Sequence, residues 1–414
     1  MSTKQQLARG YVDRTELREY ATGRSLLNEP VHRWFVFPHS YSADLVRTIV
    51  HFWGLTRRDR ILDPFVGAGT TLLVAKENGI PATGLDVSPL AVFVTQAKIM
   101  DLQVKYLRGC WSRLRRRLPP APPSYSEPEN PILRRAFLRS AWDWWCFLRN
   151  RIGRMVPARE RGFFVLALLI AMRNVCRATS DGGWLRWTRR RPNSALVPRF
   201  WRDAVETMLK DIRLVSRASE MSLWTARLGD ARFPPSDLGR FSAVICSPPY
   251  PNRHDYTRVF APELLLEFLG DEELKTLRYD SFRSHVEARV PAYGEDGYKP
   301  GRQIKRQLAR LRNAPVTDPR VVPMVEGYLR DCFELLRALR PHLHQGARLA
   351  FVVGNVRHAG VMIQVDQAFA DLAQSIGYKW DATWVIRYRG NSAQQMATFG
   401  REAARESVVF LRPN

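Results

Sequence analysis

The sequence predicts an α/β protein built around a mostly parallel β-sheet. The segment RILDPFVGAGTTLLVAKENG (60–79) has the pattern of a strand, a glycine loop and a helix. The segment GIPATGLDVSPLAVFVTQAKI (79–99) adds a second strand and a second helix. Strands that alternate with helices in this way form parallel sheets. The same alternation returns after residue 322, which indicates that both parts of the chain belong to one α/β unit.

The remaining elements of this unit follow from hydrophobic periodicity and from the residues that end each run. Residues 1–30 are polar and predict a loose arm, and apolar spacing predicts a helix from about Ala43 to Trp53. A third strand is expected to end near Asp230, and FSAVICSPPY (241–250) is a buried strand that stops at two prolines. The C-terminal part predicts the order helix, strand, helix, strand, strand over 325–341, 346–355, 365–378, 380–390 and 406–413.

Two regions interrupt this pattern. Residues 103–222 contain a basic run, a Pro-rich linker at 119–131 and Trp-rich helical stretches, without a convincing pair of strands. They predict a helical insertion, in which the tryptophans near 142–145 fit a helix core better than a stacking platform. Residues 251–322 are charged and irregular. We therefore divide the chain into 1–102 and 223–414 as the main domain, with 103–222 inserted and 251–322 as a second irregular region.

The composition favours a polyanionic partner. The 414 residues include 64 Lys and Arg against 40 Asp and Glu, a formal net charge of +24, which makes nucleic acid the first candidate. A generally Arg-rich composition without such a partner is the alternative. The five cysteines form no CxxC pair, so the sequence predicts neither a zinc site nor a disulfide framework, and it fits a reducing compartment. The N-terminus lacks the apolar core of a signal peptide, and the longest apolar run, 163–172, is too short to span a bilayer.

The glycine loop and two acidic residues predict a pocket for an adenosine-containing cofactor. Gly67 and Gly69 allow a ligand to approach bare backbone between a strand and a helix. Asp86, at the end of the second strand, can accept both ribose hydroxyls, and Asp230 can accept the adenine amino group. Leu72 stands where a dinucleotide site has its third glycine, and no phosphate-binding lysine follows, so S-adenosylmethionine fits. The alternatives are a glycine turn that only packs and a solvated aspartate at a strand end.

Two motifs together carry a resemblance to a known family. DPFVGAGTT (63–71) and SPPY (247–250) resemble motifs of the DNA amino-methyltransferases, which methylate the N4 amine of cytosine or the N6 amine of adenine. FPHSYSADLV (37–46), GLDVSPLA (84–91) and residues 389–413 extend the similarity, which covers 31–102, 223–250 and 323–414. It implies a Rossmann-like class I methyltransferase fold, whose mostly parallel seven-stranded sheet carries a C-terminal antiparallel hairpin.

The resemblance also assigns site residues. It implies that the SPPY residues hold the amine: Ser247 and the Pro248 carbonyl accept its N–H bonds, Pro249 adds rigidity, and the flipped base stacks on Tyr250. The residues expected to bind S-adenosylmethionine are Tyr41, Ser42, Asp63, Pro64, Phe65, Gly67, Gly69, Thr70, Thr71, Asp86, Val87, Asp230 and Ala231. No metal is required. The residues expected to contact DNA are Asn252, Arg253, His254, Arg189, Arg190 and Arg191.

Serine at position 247 favours N4-cytosine, because SPPY goes mainly with cytosine enzymes and DPPY mainly with adenine enzymes. N6-adenine methylation, RNA amino-methylation and a non-catalytic DNA-binding protein remain alternatives. Either 103–222 or 251–322 could read the DNA sequence, because the insertion precedes the third strand, which is not the commonest arrangement in the family. The expected partners are double-stranded DNA and a possible cognate restriction endonuclease, with no membrane partner. The expected location is the prokaryotic cytoplasm, at the nucleoid.

Overall fold

A computed structural model of the chain describes residues 9–181, 184–189, 192–214, 223–289, 293, 297–390 and 393–414. Its centre is an eight-stranded sheet of order β1-β11-β12-β8-β7-β2-β3-β6, in which only β12 runs antiparallel to its neighbours. The strands of this sheet are β1 (Tyr11–Asp13), β2 (Ile61–Asp63), β3 (Ala82–Asp86), β6 (Trp224–Leu228), β7 (Phe241–Cys246), β8 (Leu343–Gly354), β11 (Tyr378–Arg389) and β12 (Ala404–Pro413). Two small antiparallel sheets pair β4 (Ala178–Asp181) with β5 (Trp184–Trp187) and β9 (Val356–His358) with β10 (Val361–Ile363).

The predicted α/β class and mostly parallel sheet are confirmed, but the sheet has eight strands rather than seven. The additional strand is β1, which pairs in parallel with β11 at the edge of the sheet, Tyr11 opposite Thr383. The expectation of a loose arm over residues 1–30 is therefore wrong for residues 9–30. Apolar side chains hold this segment in place, because Leu17, Ala21 and Leu26 are buried in the apolar cluster on one face of the sheet.

Fifteen α-helices are present in the described part of the chain. The helix predicted from about Ala43 to Trp53 has these bounds, because Ser42 caps its amino end and Gly54 ends it in the left-handed conformation. In chain order the helices are α1 (Ala43–Trp53), α2 (Thr70–Glu77), α3 (Pro89–Ile99), α4 (Val104–Arg115), α5 (Pro131–Ala136), α6 (Arg139–Met155), α7 (Ala158–Val175), α8 (Val197–Asp211), α9 (Tyr256–Val259), α10 (Ala261–Glu267), α11 (Asp271–Asp280), α12 (Arg302–Arg312), α13 (Val321–Leu339), α14 (Val365–Ser375) and α15 (Ala393–Phe399). None of them is both long and apolar enough to cross a membrane.

Helices cover both faces of the sheet and so close its core. Apolar residues of α1, α2 and α3 pack on one face, and those of α12, α13 and α14 pack on the other. The carboxyl ends of β2, β3, β6 and β7 consequently meet at one edge, which is where parallel sheets of this kind hold ligands.

The insertion 103–222 is helical as predicted, but the expectation that it contains no pair of strands is wrong, because β4 and β5 form an antiparallel hairpin there. Both hairpin strands are four residues long and polar in part, so their hydrophobic pattern is weak. Trp144 and Trp145 are buried in the helical core, as expected. This core is continuous with α2 and α3, because Leu73, Leu90 and Val94 belong to the same apolar cluster as the insertion helices.

A buried aspartate ties the insertion to the segment before α1. Asp211, at the end of α8, is fully buried and accepts hydrogen bonds from the backbone N–H of Val31 (3.1 Å) and from Trp34 Nε1 (3.0 Å). Arg33 completes the cluster through an ion pair, with Nε 2.9 Å from the carboxylate. The insertion is therefore fixed to residues 31–34, in the segment that precedes α1.

We expect Asp211→Ala to lower the free energy of unfolding by about 3 kcal/mol, because it leaves two buried donors and one guanidinium without their acceptor. The matched control is Asp203→Ala on the same helix, whose carboxylate is 56% exposed and should matter by less than about 0.5 kcal/mol. Urea denaturation followed by circular dichroism measures both. Equal losses would contradict the anchoring role of Asp211.

Candidate active site

A cavity of about 170 Å³ opens at the carboxyl edge of the sheet. Its walls come from the loops that follow β2, β3, β6 and β7 and from the segment before α1. Fourteen of the residues expected at the site line it, namely Tyr41, Pro64, Phe65, Gly67, Thr70, Asp86, Val87, Asp230, Ala231, Ser247, Pro248, Pro249, Tyr250 and Asn252. The fold thus brings the glycine loop and the SPPY segment together in one cavity.

The carboxylate of Asp86 holds the glycine loop in place. It accepts hydrogen bonds from the backbone N–H of Gly67 (3.0 Å) and of Ser88 (2.9 Å). Desolvation raises the pKa of Asp86 to about 6, and these backbone bonds oppose the shift. Gly67 has a φ of +50°, which favours glycine, and exposes its backbone to the cavity. Gly69 does not line the cavity, because it packs against Thr95, whose Oγ1 would lie 2.8 Å from a Cβ at that position.

Three other residues expected to touch the cofactor lie outside the cavity lining. Asp63 is buried, accepting hydrogen bonds from the Tyr41 hydroxyl (3.2 Å) and from the N–H of Phe65 (3.0 Å). Thr71 hydrogen-bonds to the same Tyr41 hydroxyl. Ser42 accepts a hydrogen bond from the N–H of Leu45 and so caps α1. These residues position the wall formed by Tyr41 and the loop after β2. Burial raises the pKa of Asp63 to about 7.

Asp230 lines the cavity as part of an ion-pair network. Its carboxylate accepts hydrogen bonds from Nε (3.0 Å) and the backbone N–H (2.8 Å) of Arg232. Arg232 Nη1 in turn lies 3.1 Å from Asp331, which is fully buried and also binds Arg283 and Tyr293. Asp230 was expected to accept the adenine amino group, and that role stays a prediction. In the structure Arg232 donates four hydrogen bonds to its carboxylate.

The SPPY segment leaves β7 directly and is held from the opposite side by β8 and β12. The Tyr250 hydroxyl donates to Glu406 of β12 (3.3 Å), and its ring lies so close to Gly354 of β8 that a Cβ there would be 2.6 Å from Cε2. The carbonyl of Pro251 accepts a hydrogen bond from His358 Nε2 (2.8 Å). The Tyr250 side chain and the carbonyl of Pro251 are therefore held in place by residues of β8, β9 and β12.

The residues that follow SPPY differ in their placement. Asn252 lines the cavity, and its side-chain oxygen accepts the N–H of His254 (3.2 Å). His254 packs on the ring of His39 with the centroids 4.5 Å apart, and burial lowers its pKa to about 4. Arg253 lies outside the cavity lining, with Nη2 3.4 Å from Asp318. Arg189 is exposed on the insertion, and Arg190 and Arg191 lie outside the described residues.

The aromatic wall of the cavity was not predicted from the sequence. Phe37 and Phe260 pack with their ring centroids 4.4 Å apart, and Tyr256 lies beside them at the start of α9, where burial and the charge of Asp86 raise its pKa to about 12. Further lining residues, all from the region 251–322, are Thr257, Leu264, Leu277, Ser281, Phe282, Ser284 and His285. This region thus encloses the cavity, a role that its charged and irregular sequence did not indicate.

The chain is similar to two methyltransferases over nearly its whole length. It is 25% identical to the Type II methyltransferase M.BsoBI of Geobacillus stearothermophilus, over 96% of this chain and 89% of the relative. It is 27% identical to the Type II methyltransferase M.AvaI of Nostoc sp., over 93% and 87%. No protein-family model matches the chain. The solved structure of TrmN from Thermus thermophilus overlays with a TM-score of 0.31 and 11% identity, covering 90% of this chain and 49% of that one. The two Type II relatives confirm the predicted relation to methyltransferases.

We expect Asp63→Asn to change the pH dependence of stability. A carboxyl whose pKa rises from 3.8 to about 7 on folding contributes stability below pH 4 and loses it as the pH rises through 7. Asparagine keeps the neutral form, with an oxygen for the N–H of Phe65 and an amide for the Tyr41 hydroxyl. Thermal unfolding from pH 4 to 8 should therefore show the variant gaining on the wild type as the pH rises. Parallel curves for the two proteins would refute this assignment.

Proposed function

We propose that this chain, a relative of Type II methyltransferases along most of its length, transfers a methyl group from S-adenosylmethionine to the N4 amine of a cytosine in double-stranded DNA. One observation carries the proposal. The SPPY segment and the Asp86-anchored glycine loop line the same cavity, so a cofactor on one side can meet an amine on the other.

The residues of the cavity fit the cofactor. Each carboxylate oxygen of Asp86 accepts a backbone hydrogen bond and retains a lone pair, so Asp86 can accept further bonds from a ribose. Asp230 lines the same cavity, but Arg232 already donates four hydrogen bonds to its carboxylate. The rings of Phe37 and Phe260 offer apolar faces, and the space beside Gly67 is open, with no atom closer than 3.8 Å to a Cβ placed there. When bound, S-adenosylmethionine supplies a methyl group on a positively charged sulfur.

Ser247 and Pro248 hold the amine that receives the methyl group. An exocyclic amine on an aromatic ring is a weak nucleophile, because its lone pair is delocalised into the ring. The Ser247 hydroxyl and the Pro248 carbonyl accept its two N–H bonds, which favours pyramidal nitrogen and frees the lone pair. Rigid acceptors cost little reorganisation during the reaction, and Pro248 and Pro249 supply that rigidity. Tyr250, fixed by Glu406 and Gly354, is the surface on which the base stacks.

The choice of cytosine rests on Ser247. A neutral hydroxyl can accept from the N4 amine and donate to the neighbouring N3 acceptor, which an ionised aspartate cannot do. The experiment that tests the function uses plasmid DNA, the protein and isotopically labelled S-adenosylmethionine, followed by digestion to nucleosides and mass spectrometry. Label in N4-methylcytosine supports the proposal, and label in N6-methyladenine keeps the enzyme but changes the base. Label only in RNA supplied in parallel, or in no nucleic acid, supports the RNA or the non-catalytic alternative.

The proposal extends to the partners. The relatives are Type II methyltransferases, so we propose a cognate restriction endonuclease and a place of action on the chromosome in the cytoplasm. Exposed cations on the insertion, Arg189 among them, are candidates for phosphate contacts outside the cavity. The region 251–322 contributes to the cavity wall, which leaves 103–222 as the better candidate for reading sequence.

We expect Ser247→Ala to lower the methylation rate about 10²-fold to 10³-fold, because it removes an acceptor that acts on the reacting amine. DNA affinity should change by less than about threefold. The matched control is Ser242→Ala at the start of β7, whose hydroxyl binds the N–H of Arg60 at the opposite edge of the sheet (2.8 Å). Single-turnover rates and fluorescence anisotropy measure the two effects. Equal losses of rate and affinity would count against the role of Ser247.

A further inference from the structure

A second cavity lies on the other side of Tyr250. Its volume is about 300 Å³, and it shares the wall formed by residues 37–40 and by Tyr250 with the first cavity. The opposite wall is the N-terminal segment of residues 21–24 with Leu27. The ends of β11 and β12 complete it with Arg387, Arg389 and Glu406. Tyr250 thus separates the cofactor cavity from a second one.

The second cavity carries an excess of positive charge. Its lining contains three arginines, Arg24, Arg387 and Arg389, and one carboxylate, Glu406. That carboxylate is already used, because Arg387 Nε and Nη2 lie 2.8 Å and 2.6 Å from it and the Tyr250 hydroxyl also donates to it. Within the described parts of the chain, neither Arg24 nor Arg389 is paired with a carboxylate. Two guanidinium groups are therefore available to an anionic ligand.

The position of these groups indicates which anion. The guanidinium carbon of Arg389 lies 5.7 Å from the centroid of the Tyr250 ring, and Arg389 Nη2 donates to the carbonyl of Asn355 (3.1 Å), which fixes the side chain. Burial lowers the pKa of His39 on the shared wall, and the charges of Arg389 and Arg387 lower it further, as a positive potential there would. A base that leaves the duplex brings its own sugar and phosphate with it, and these must lie just outside the pocket that receives the base.

We propose that Arg24 and Arg389 bind a phosphate that flanks the nucleotide to be methylated, an inference that rests on the proposed function. The planar guanidinium fork matches the oxygens of a phosphodiester, and a phosphate at this place holds the extruded nucleotide beside Tyr250. The contact is specific to one nucleotide because it lies at the methylation pocket, unlike phosphate contacts along the duplex. Arg387, neutralised by Glu406, has a positioning role for Tyr250.

The test combines protein variants with neutral phosphates. Arg389→Gln and Arg24→Gln are compared with the wild type and with Arg58→Gln, an exposed arginine in the loop before β2, at the opposite edge of the sheet. The duplexes contain the methylation site, which is mapped beforehand by sequencing plasmid DNA that the protein has methylated, and they carry one methylphosphonate at each position in turn. We expect one methylphosphonate beside the target nucleotide to weaken binding of the wild type and of Arg58→Gln about tenfold. The same methylphosphonate should weaken binding of Arg389→Gln and of Arg24→Gln by a smaller factor, because each variant has only one of the two guanidinium contacts left to lose.

A salt titration gives a second measure. Complete loss of the phosphate contact in the double variant Arg24→Gln/Arg389→Gln should reduce the magnitude of the slope of log affinity against log salt by about 0.9, and each single variant should reduce it by less. Equal sensitivity of all proteins at every phosphate would overturn the inference while leaving the proposed function intact. Loss of affinity in Arg389→Gln alone, without change in Arg24→Gln, would refute the shared site, because Arg389 also binds the Asn355 carbonyl. A wild type that methylates no DNA would overturn the proposed function and the inference with it.

Discussion

A single buried ammonium group holds the walls of the first cavity together. Lys98, on α3, is 4% exposed and donates to the carbonyls of His32 (3.0 Å), Phe35 (2.8 Å) and Ala68 (2.9 Å). These carbonyls belong to the segment before α1 and to the glycine loop, so one side chain fixes the aromatic wall relative to the loop. Burial lowers the pKa of Lys98 to about 7, which reflects the cost of placing a charge among dipoles alone. Without this group three carbonyls would be left unpaired, and two walls would lose their common anchor.

The sequence predicted what local chemistry determines. Ser42 and Gly54 define α1, the glycine loop follows β2, and two prolines end β7, each within a few neighbouring residues. Contacts between distant residues escaped prediction for the same reason. In the sequence Lys98 cannot be told from any other lysine on a helix, because its carbonyl partners lie 30 to 66 residues away. The additional strand of the sheet, β1, is only three residues long, and it is a strand only because it pairs with β11.

The charged residues show the same difference between local sequence patterns and contacts of distant residues. The arginine run 189–191 was predicted to contact DNA, because consecutive arginines are apparent in the sequence itself. The second cavity gathers its cations from positions 24, 387 and 389, which only the folding of the N-terminal segment onto β11 brings together. The aromatic wall of the first cavity likewise combines two residues that are distant in the sequence, Phe37 and Phe260. Site residues that converge from distant segments leave no local pattern, so the motifs located the site but not its enclosure.

The two cavities have opposite electrostatic character, and the proposed reaction gives a reason for it. The cofactor side carries the carboxylate of Asp86, which has no ion-pair partner among the described residues, whereas the guanidinium groups of Arg24 and Arg389 line the second cavity beyond Tyr250. A sulfonium ion is cationic, so carboxylates near it favour binding and arginines near it would oppose binding. A polynucleotide is anionic and has the reverse requirement. Tyr250 lines both cavities and stands between the carboxylate of the first and the guanidinium groups of the second. Beside it, Glu406 and Arg387 neutralise one another. The base to be methylated is itself uncharged, and it is the part of the polynucleotide expected to lie at this boundary.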